Sequence, residues 1–528
     1  MVIDKDLQSI QEVRELITKA KEAQLEFKHY SQEQVDKIVK AMADAGYAEA
    51  ERLAKMANEE TGFGKWEDKV IKNQFGTRNV YESIKDLKTV GVIDIQENGK
   101  IVKIAEPMGV VAALVPSTNP TSTVMFKSII SLKCRNSIVA SPHPRAVNCT
   151  QAAMQVLINA TEKAGAPKGL MQCMTTPTLA GTDELMKNKK VAVILATGSN
   201  PMVKAAYSAG TPAYGVGSGN VPAFIERTAN SDKAVADIVA GTTFDYGTLC
   251  SSEQAMIVDR PIRDKVIEKA KSLGCYFVDE TEKLKLENAV MKGKGINPEI
   301  VGKSAKVIAE YAGFSVPDNT SVLVAYCETV GRDEPLSMEK LSPILAFYTV
   351  DGWLEGCHKC IELLEFGGVG HSLVIHSNDH DVIMKFAMEK PAFRIVVNTP
   401  SSIGAVGYTT KLAPSLTLGV GTWGGSIVSE NVTAKHLMNV KTLAFESNPV
   451  NPGESLNNYN QKSVNGTTTN ASEFINQIEE RLRARAGNPT VAAAQTKSKA
   501  PTNDASSGSL GSGISASEID KIIKEFNS

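Results

Sequence analysis

The spacing of apolar residues changes three times along the chain, and each change marks a different kind of element. From residue 5 to about residue 87 they recur at helical intervals. Residues 5–30 read as one helix. Ser31 and Gln34 form a capping-box pattern ahead of a second, in which Val35, Ile38, Val39 and Met42 fall at i, i+3, i+4 and i+7 and make one buried stripe. Alternation follows in GVIDIQENGKIVKIAEP, which carries Asn98-Gly99, the strongest short hairpin signal. A two-stranded ribbon is marginal in water, so this one is expected to pair with something else, another subunit being one choice.

After Gly109 the apolar residues run together. GVVAALVP (109–116), SIVASPHP (137–144) and VAVILATGS (191–199) are short continuous runs ending in turn residues, with helical segments at about 120–135 and 146–164 between them. Such strands, separated by helices, predict a parallel sheet covered on both faces. Ligands of these sheets bind beyond the carboxyl ends of the strands, here residues 116–120, 141–145 and 197–200. A second α/β region spans about 221–428, with AMIVD (255–259), SVLVAYCE (321–328), SLVIHS (372–377) and RIVVNTP (394–400). The segment 425–445 ends in a strand-like KTLAF, and 471–486 reads as a final surface helix. Residues 487–513 have almost no large apolar side chain and read as a flexible linker. In the last stretch, 514–528, Ser515 and Glu518 suggest a cap, and Ile519, Ile522, Ile523 and Phe526 form one apolar face, expected to dock elsewhere.

Composition narrows the class. The 528 residues are 42% apolar and 22% charged with a net charge of −2, an ordinary balance that predicts two or three globular domains and does not point to nucleic acid. Neither a membrane-length apolar run nor a signal-peptide pattern is present, so no membrane partner is expected. Eight irregularly spaced cysteines make no disulfide framework, which places the chain in a reducing cytoplasm.

One cysteine stands apart. In FDYGTLCSSE (244–253), Cys250 follows a Gly247 turn among small hydroxyl residues, where a substrate could reach it. Most cysteines are buried filler, so this reading needs a cofactor site and an oxyanion site elsewhere. Thr197-Gly198-Ser199 ends a buried strand and enters a helix, a place for a pyrophosphate. Gly215, Gly217 and Gly219 make a glycine-rich turn. In VPSTNPTST (115–123), Thr118 and Asn119 sit at a strand end, where an amide N–H would meet a developing oxyanion. Cys357-x-x-Cys360 lies in a helical pattern without a second pair of ligands and is read as structural, with no metal expected. His371 follows a glycine turn and enters a strand.

The order of these motifs is more specific than any one of them. PSTNP, SPHP, ATGS, GVGSGN, G-x-x-C, E-x-x-S-P and NTPSS resemble the aldehyde dehydrogenase superfamily over roughly residues 10–460. VPSTNPTST, SPHPRA, CSSEQ and LGVGTWGGSIVSENV resemble its CoA-acylating branch more closely. The resemblance implies two doubly wound parallel-sheet domains plus a β-hairpin oligomerisation element: NAD-binding 1–90 and 107–219, catalytic 220–425, oligomerisation 91–106 and 426–460. It implies Cys250 as nucleophile, with Pro142, His143, Thr197, Gly198, Ser199, Gly215, Gly217 and Glu339 on the cofactor. Aligning the prolines without a gap puts Thr118 at the oxyanion asparagine, whereas a shift of one residue selects Asn119, which is taken as the donor. His371 is assigned to proton transfer or to the pocket wall. Where hydrolytic relatives carry the water-activating glutamate, this chain has Gly215-Val216-Gly217-Ser218, which favours thiolysis by coenzyme A. The expected activity is oxidation of a two- to four-carbon aldehyde to acyl-CoA with NAD+, in a homodimer or homotetramer. The tail resembles encapsulation peptides of bacterial microcompartment enzymes. A hydrolytic aldehyde dehydrogenase, a cysteine hydrolase and a non-catalytic scaffold are the alternatives.

Overall fold

The computed structural model describes residues 4–293, 295–448 and 450. The expected helix at 471–486, the linker at 487–513 and the helix at 514–528 lie outside the described residues, as does 451–460 of the expected oligomerisation segment.

The chain opens with helices α1 (Lys5–Phe27), α2 (Gln32–Ala48), α3 (Ala50–Thr61) and α4 (Trp66–Gln74). Ser31 caps α2 with the reciprocal Gln34 bond of a capping box. The stripe Val35, Ile38, Val39 and Met42 is buried, as its spacing requires. After α4 the helix widens into a π turn (Phe75–Asn79) and ends in α5 (Val80–Ile84).

Strands β1 (Gly91–Gln96) and β2 (Ile101–Pro107) form the antiparallel hairpin, with Asn98 and Gly99 in the left-handed turn. The ribbon's third strand comes from the same chain, since Met438–Ala444 pairs with β2 rather than leaving that edge for another subunit.

Two parallel sheets follow, each wrapped in helices. The first contains β3 (Val110–Val115), β4 (Ser137–Pro142), β5 (Met171–Cys173), β6 (Val191–Thr197) and β7 (Ala213–Val216), in the order β5-β4-β3-β6-β7. Helices α6 (Pro120–Lys133), α7 (Val147–Lys163), α8 (Leu179–Lys187) and α9 (Asn200–Tyr207) connect its strands. Continuous burial of β3 and β4 explains why their sequences do not alternate.

The second sheet begins with β8 (Val221–Ile225), helix α10 (Ser231–Thr243), β9 (Glu253–Asp259) and β10 (Cys275–Phe277). A small hairpin, β11 (Met291–Lys292) and β12 (Gly295–Ile296), leads to β13 (Val322–Tyr326), β14 (Ile344–Val350), β15 (Gly370–His376) and β16 (Ala392–Val397). The order is β10-β13-β14-β9-β8-β15-β16, every pairing parallel. Cys357 and Cys360 are buried in the helix Gly352–Gly367 that covers this sheet. No described helix is long and apolar enough to cross a membrane.

Candidate active site

In the five-stranded sheet the strand order reverses beside β3, and this opens a crevice beyond the carboxyl ends of β3 and β6. The crevice is the inner part of a cavity of about 1360 Å³, and Thr118, Asn119, Pro142 and His143 line it. Thr197, Gly198, Ser199 and Gly217 line it as well. Cys250 and Glu339 enter from the seven-stranded sheet's side. The structure thus gathers residues far apart in the chain around one space, while Gly215 and His371 stand behind its wall.

Cys250 lies on the turn between α10 and β9 and is half-buried. It is one of the residues that line the cavity. Burial pushes the thiol up to about 12, with Glu339 adding to the rise and Arg394 and Lys72 opposing it. The resting sulfur is a protonated thiol at neutral pH. Before Cys250 the backbone is held in two left-handed non-glycine conformations, Asp245 (φ 50°) and Tyr246 (φ 50°). Beside it runs Gly219. A Cβ there would come within 1.8 Å of the Cys250 carbonyl oxygen and 3.2 Å of His371 Cε1, so only glycine lets the two loops meet.

Glu339 is tied into this junction. Its Oε1 accepts the Gly219 N–H at 2.8 Å. Burial raises its carboxyl to about 7, while the Gly219 N–H and the Ser218 hydroxyl pull it back. Among the described residues Glu339 is the one carboxylate lining the cavity. Gly215 is packed closely against two side chains. A Cβ on Gly215 would lie 2.6 Å from the Tyr207 hydroxyl and 2.7 Å from Val203 Cγ1.

His371 is fully buried, with Nδ1 3.1 Å from the Ser372 hydroxyl and Nε2 without a hydrogen-bond partner among the described residues. Burial and then the nearby Arg394 hold its pKa well below the ordinary value, so the ring is neutral. Arg394 is itself fixed by the carbonyl oxygens of Gly370 (3.1 Å) and His371 (2.7 Å).

The donors facing the crevice fit a dinucleotide. Ser199 at the start of α9 makes no side-chain capping bond and Pro201 has no N–H, which leaves Asn200 and Met202 as the first N–H donors of that helix, both in residues that line the crevice. Asn200 Oδ1 accepts the Ser218 N–H at 2.9 Å and pins the glycine turn against the helix start. His143, which accepts the Arg145 N–H at 3.1 Å, stands at the end of β4.

One part of the site is not visible in the motifs. On α4, Lys69 and Lys72 point inward and are 3% and 4% exposed. Both contact the fully buried carboxylate of Asp245. Lys72 Nζ also donates to Asn119 Oδ1 at 2.6 Å and to the Thr248 hydroxyl at 3.0 Å. Lys69 Nζ donates to the Thr118 carbonyl at 3.1 Å. Burial pulls Lys72 down to about 8 against the attraction of Asp245. In the sequence both lysines look like the solvated face of a helix; the one local hint is their i, i+3 spacing.

Comparisons with known proteins agree with this geometry. The sequence profile of the Aldehyde dehydrogenase family matches residues 4–329. The bifunctional aldehyde-alcohol dehydrogenase AdhE of Escherichia coli K12 is 43% identical over 441 residues, covering 83% of this chain and 50% of that protein. The chain therefore spans about half the length of such bifunctional relatives. An acetylating aldehyde dehydrogenase from Geobacillus thermoglucosidasius superposes with a TM-score of 0.84 at 52% identity, over 86% of this chain and 100% of that one. A propionaldehyde dehydrogenase from Rhodopseudomonas palustris with bound propionyl-CoA superposes with a TM-score of 0.76 at 30% identity, over 82% and 94%.

Proposed function

The chain belongs to the aldehyde dehydrogenase family, in its CoA-acylating branch, and from that premise we propose that it oxidises a short-chain aldehyde to the acyl-CoA, using NAD+ and coenzyme A. The observation that carries this reading is the pairing of a cavity-lining Cys250 with a packed Gly215. The thiol opens into a large cavity, and the backbone where hydrolytic relatives place their base has no space for one. A thioacyl group formed there is slow to hydrolyse, whereas a thiol nucleophile needs far less activation than water.

The residues divide the work. Cys250 adds to the aldehyde carbonyl, and the new oxyanion takes N–H groups from Asn119 and from the Cys250 backbone. NAD+, when bound, supplies the hydride acceptor. The start of α9 and the 197–199 turn would hold its pyrophosphate, Pro142 and His143 its adenosine side, and Glu339 its nicotinamide ribose. Burial raises the Cys250 thiol to about 12, and a nicotinamide cation bound beside it would favour its ionisation. His371 contributes a neutral imidazole behind Gly219, shaping the wall on that side. Coenzyme A then attacks the thioacyl carbonyl, and Cys250 is released. Acetaldehyde, propionaldehyde and butyraldehyde are the substrates this reading admits.

Replacing Cys250 with Ala is expected to abolish acyl-CoA formation while NAD+ still raises the melting temperature. Full turnover in that variant, or wild-type acid production at the same rate with and without coenzyme A, sinks the assignment.

The apolar spacing of Ile519, Ile522, Ile523 and Phe526 supports a further part of the proposal, recruitment to a bacterial microcompartment shell. Deleting 487–528 is expected to leave aldehyde oxidation intact and to abolish co-localisation with shell proteins. Lost activity would assign the segment to the fold instead.

A further inference from the structure

Asn119 can act as an oxyanion donor only if its amide is turned the right way. An amide has an acceptor end and a donor end that differ little in shape, so something must select between them. Here the Oδ1 end receives the Lys72 ammonium at 2.6 Å. The reverse orientation would set an –NH2 group against an –NH3+ group, two donors facing each other without an acceptor. The chosen orientation sends Nδ2 towards the loop that carries Cys250, 3.3 Å from the Thr248 carbonyl and 3.1 Å from the Thr118 hydroxyl. Neither contact is short, and a developing oxyanion is a stronger acceptor than either.

Lys72 is itself fully committed. Its ammonium has three protons and meets three acceptors, Asn119 Oδ1, Asp245 Oδ2 and Thr248 Oγ1. Asp245 in turn accepts from Lys69 Nζ at 2.9 Å, the Lys65 N–H at 2.7 Å and the Thr248 hydroxyl at 2.7 Å. Since Thr248 lies two residues before Cys250, one buried carboxylate ties the amide, the lysine that orients it and the nucleophile's loop into a single unit. Lys72 does not line the cavity, so it acts through Asn119 and not on substrate.

We propose that Lys72 is a positioning residue, which, clamped by Asp245 and Thr248, holds the Asn119 amide with its N–H2 group aimed at the oxygen of the aldehyde bonded to Cys250. This rests on the acylating dehydrogenase reading above.

The test is a double-mutant cycle on the full chain, with NADH formation from acetaldehyde, coenzyme A and NAD+ as the readout. Asn119→Ala is expected to lower kcat by roughly 10²–10³-fold, and Lys72→Met by about 10²-fold. Neither should change the KM for NAD+ more than about threefold, because the dinucleotide residues are untouched. In the double variant Lys72→Met should add little, since the amide it orients is gone. Losses that multiply across the cycle, or a Lys72→Met enzyme with wild-type kcat, overturn the proposal. If Lys72→Met does not fold, Lys72→Gln, whose N–H2 can still donate to Asn119 Oδ1, is expected to keep kcat within about tenfold of wild type, and a larger loss that multiplies with that of Asn119→Ala overturns the proposal. A wild-type enzyme without CoA-dependent NADH formation would instead refute the functional reading, so the two failures are distinct.

Discussion

Two buried carboxyl groups flank Cys250, and they are driven in opposite directions. Asp245 and Glu253 are both 0% exposed, five residues before Cys250 and three after it. Burial pushes each carboxyl up. At Asp245 that push is outweighed by the ammonium groups of Lys72 and Lys69, and the net shift is downward. At Glu253 no cation is in contact; backbone N–H groups of Ser401 and Ser402 offset only part of the burial, and the carboxyl rises to about 8. Among the described residues its Oε2 has no hydrogen-bond partner, and neither do the hydroxyls of Ser252, Ser401 and Ser402. The side preceding Cys250 is an ionised, fully bonded cluster, whereas the side following it is neutral and sparsely bonded. Burial does not decide the charge of a carboxyl; the partner does.

The contrast breaks most visibly at Asp245. Asp245→Asn keeps the shape but leaves two buried ammonium groups without a counter-ion. Removing one partner of a buried ion pair typically costs ~3–5 kcal/mol, because the remaining charge is stranded. The expected outcome is a large drop in the urea midpoint at pH 7, together with a fall in kcat as Asn119 loses its anchor. A variant within about 1 kcal/mol of wild type would mean that the lysines reach solvent or another acceptor, and the cluster would not be the rigid unit described.

How far the sequence reveals this site follows from the range of the interactions. Runs such as GVVAALVP and VAVILATGS announce buried strands because burial on both faces leaves a local signature. Ser31 and Gln34 are three residues apart, so their capping box is equally legible. Cys250 is legible for a different reason: the turn and small side chains that expose a thiol are its immediate neighbours. Strands β5 and β10, three residues each, carry too little pattern to be read. Strand β14 is hard to read because an apolar run of the length of ILAFYTV fits a buried strand or a buried helix segment equally. The Lys72–Asp245 contact spans 173 residues. Apart from its i, i+3 spacing with Lys69, nothing local distinguishes Lys72 from a surface lysine, and Asp245 reads as a turn residue until α4 is folded against it. The contact between Lys72 and the Asn119 amide is thus made by tertiary structure alone.

A gentler test addresses the other carboxyl. With a folded pKa of about 8 and an unfolded value near the ordinary glutamate range, Glu253 is protonated in the native state where the unfolded chain has already ionised. Between those two values the native state binds more protons than the unfolded one, so this residue makes stability fall as pH rises, and the slope vanishes above about 8. Glu253→Gln keeps an amide oxygen for the Ser401 N–H and removes the titration. Wild type should therefore lose stability relative to the variant between pH 5 and pH 8, by ~2 kcal/mol after allowing for relaxation around the buried group. Urea midpoints at pH 5, 6.5 and 8 measure that difference, which should grow with pH and favour the glutamine. Parallel pH profiles for the two proteins would mean that Glu253 is ionised in the fold, and a cation would then have to reach it from an element not in contact with it here. The same substitution at Asp245 is expected to act with the opposite sign, because there the folded state holds the charged form and stability is lost only as the pH falls towards the carboxylate range.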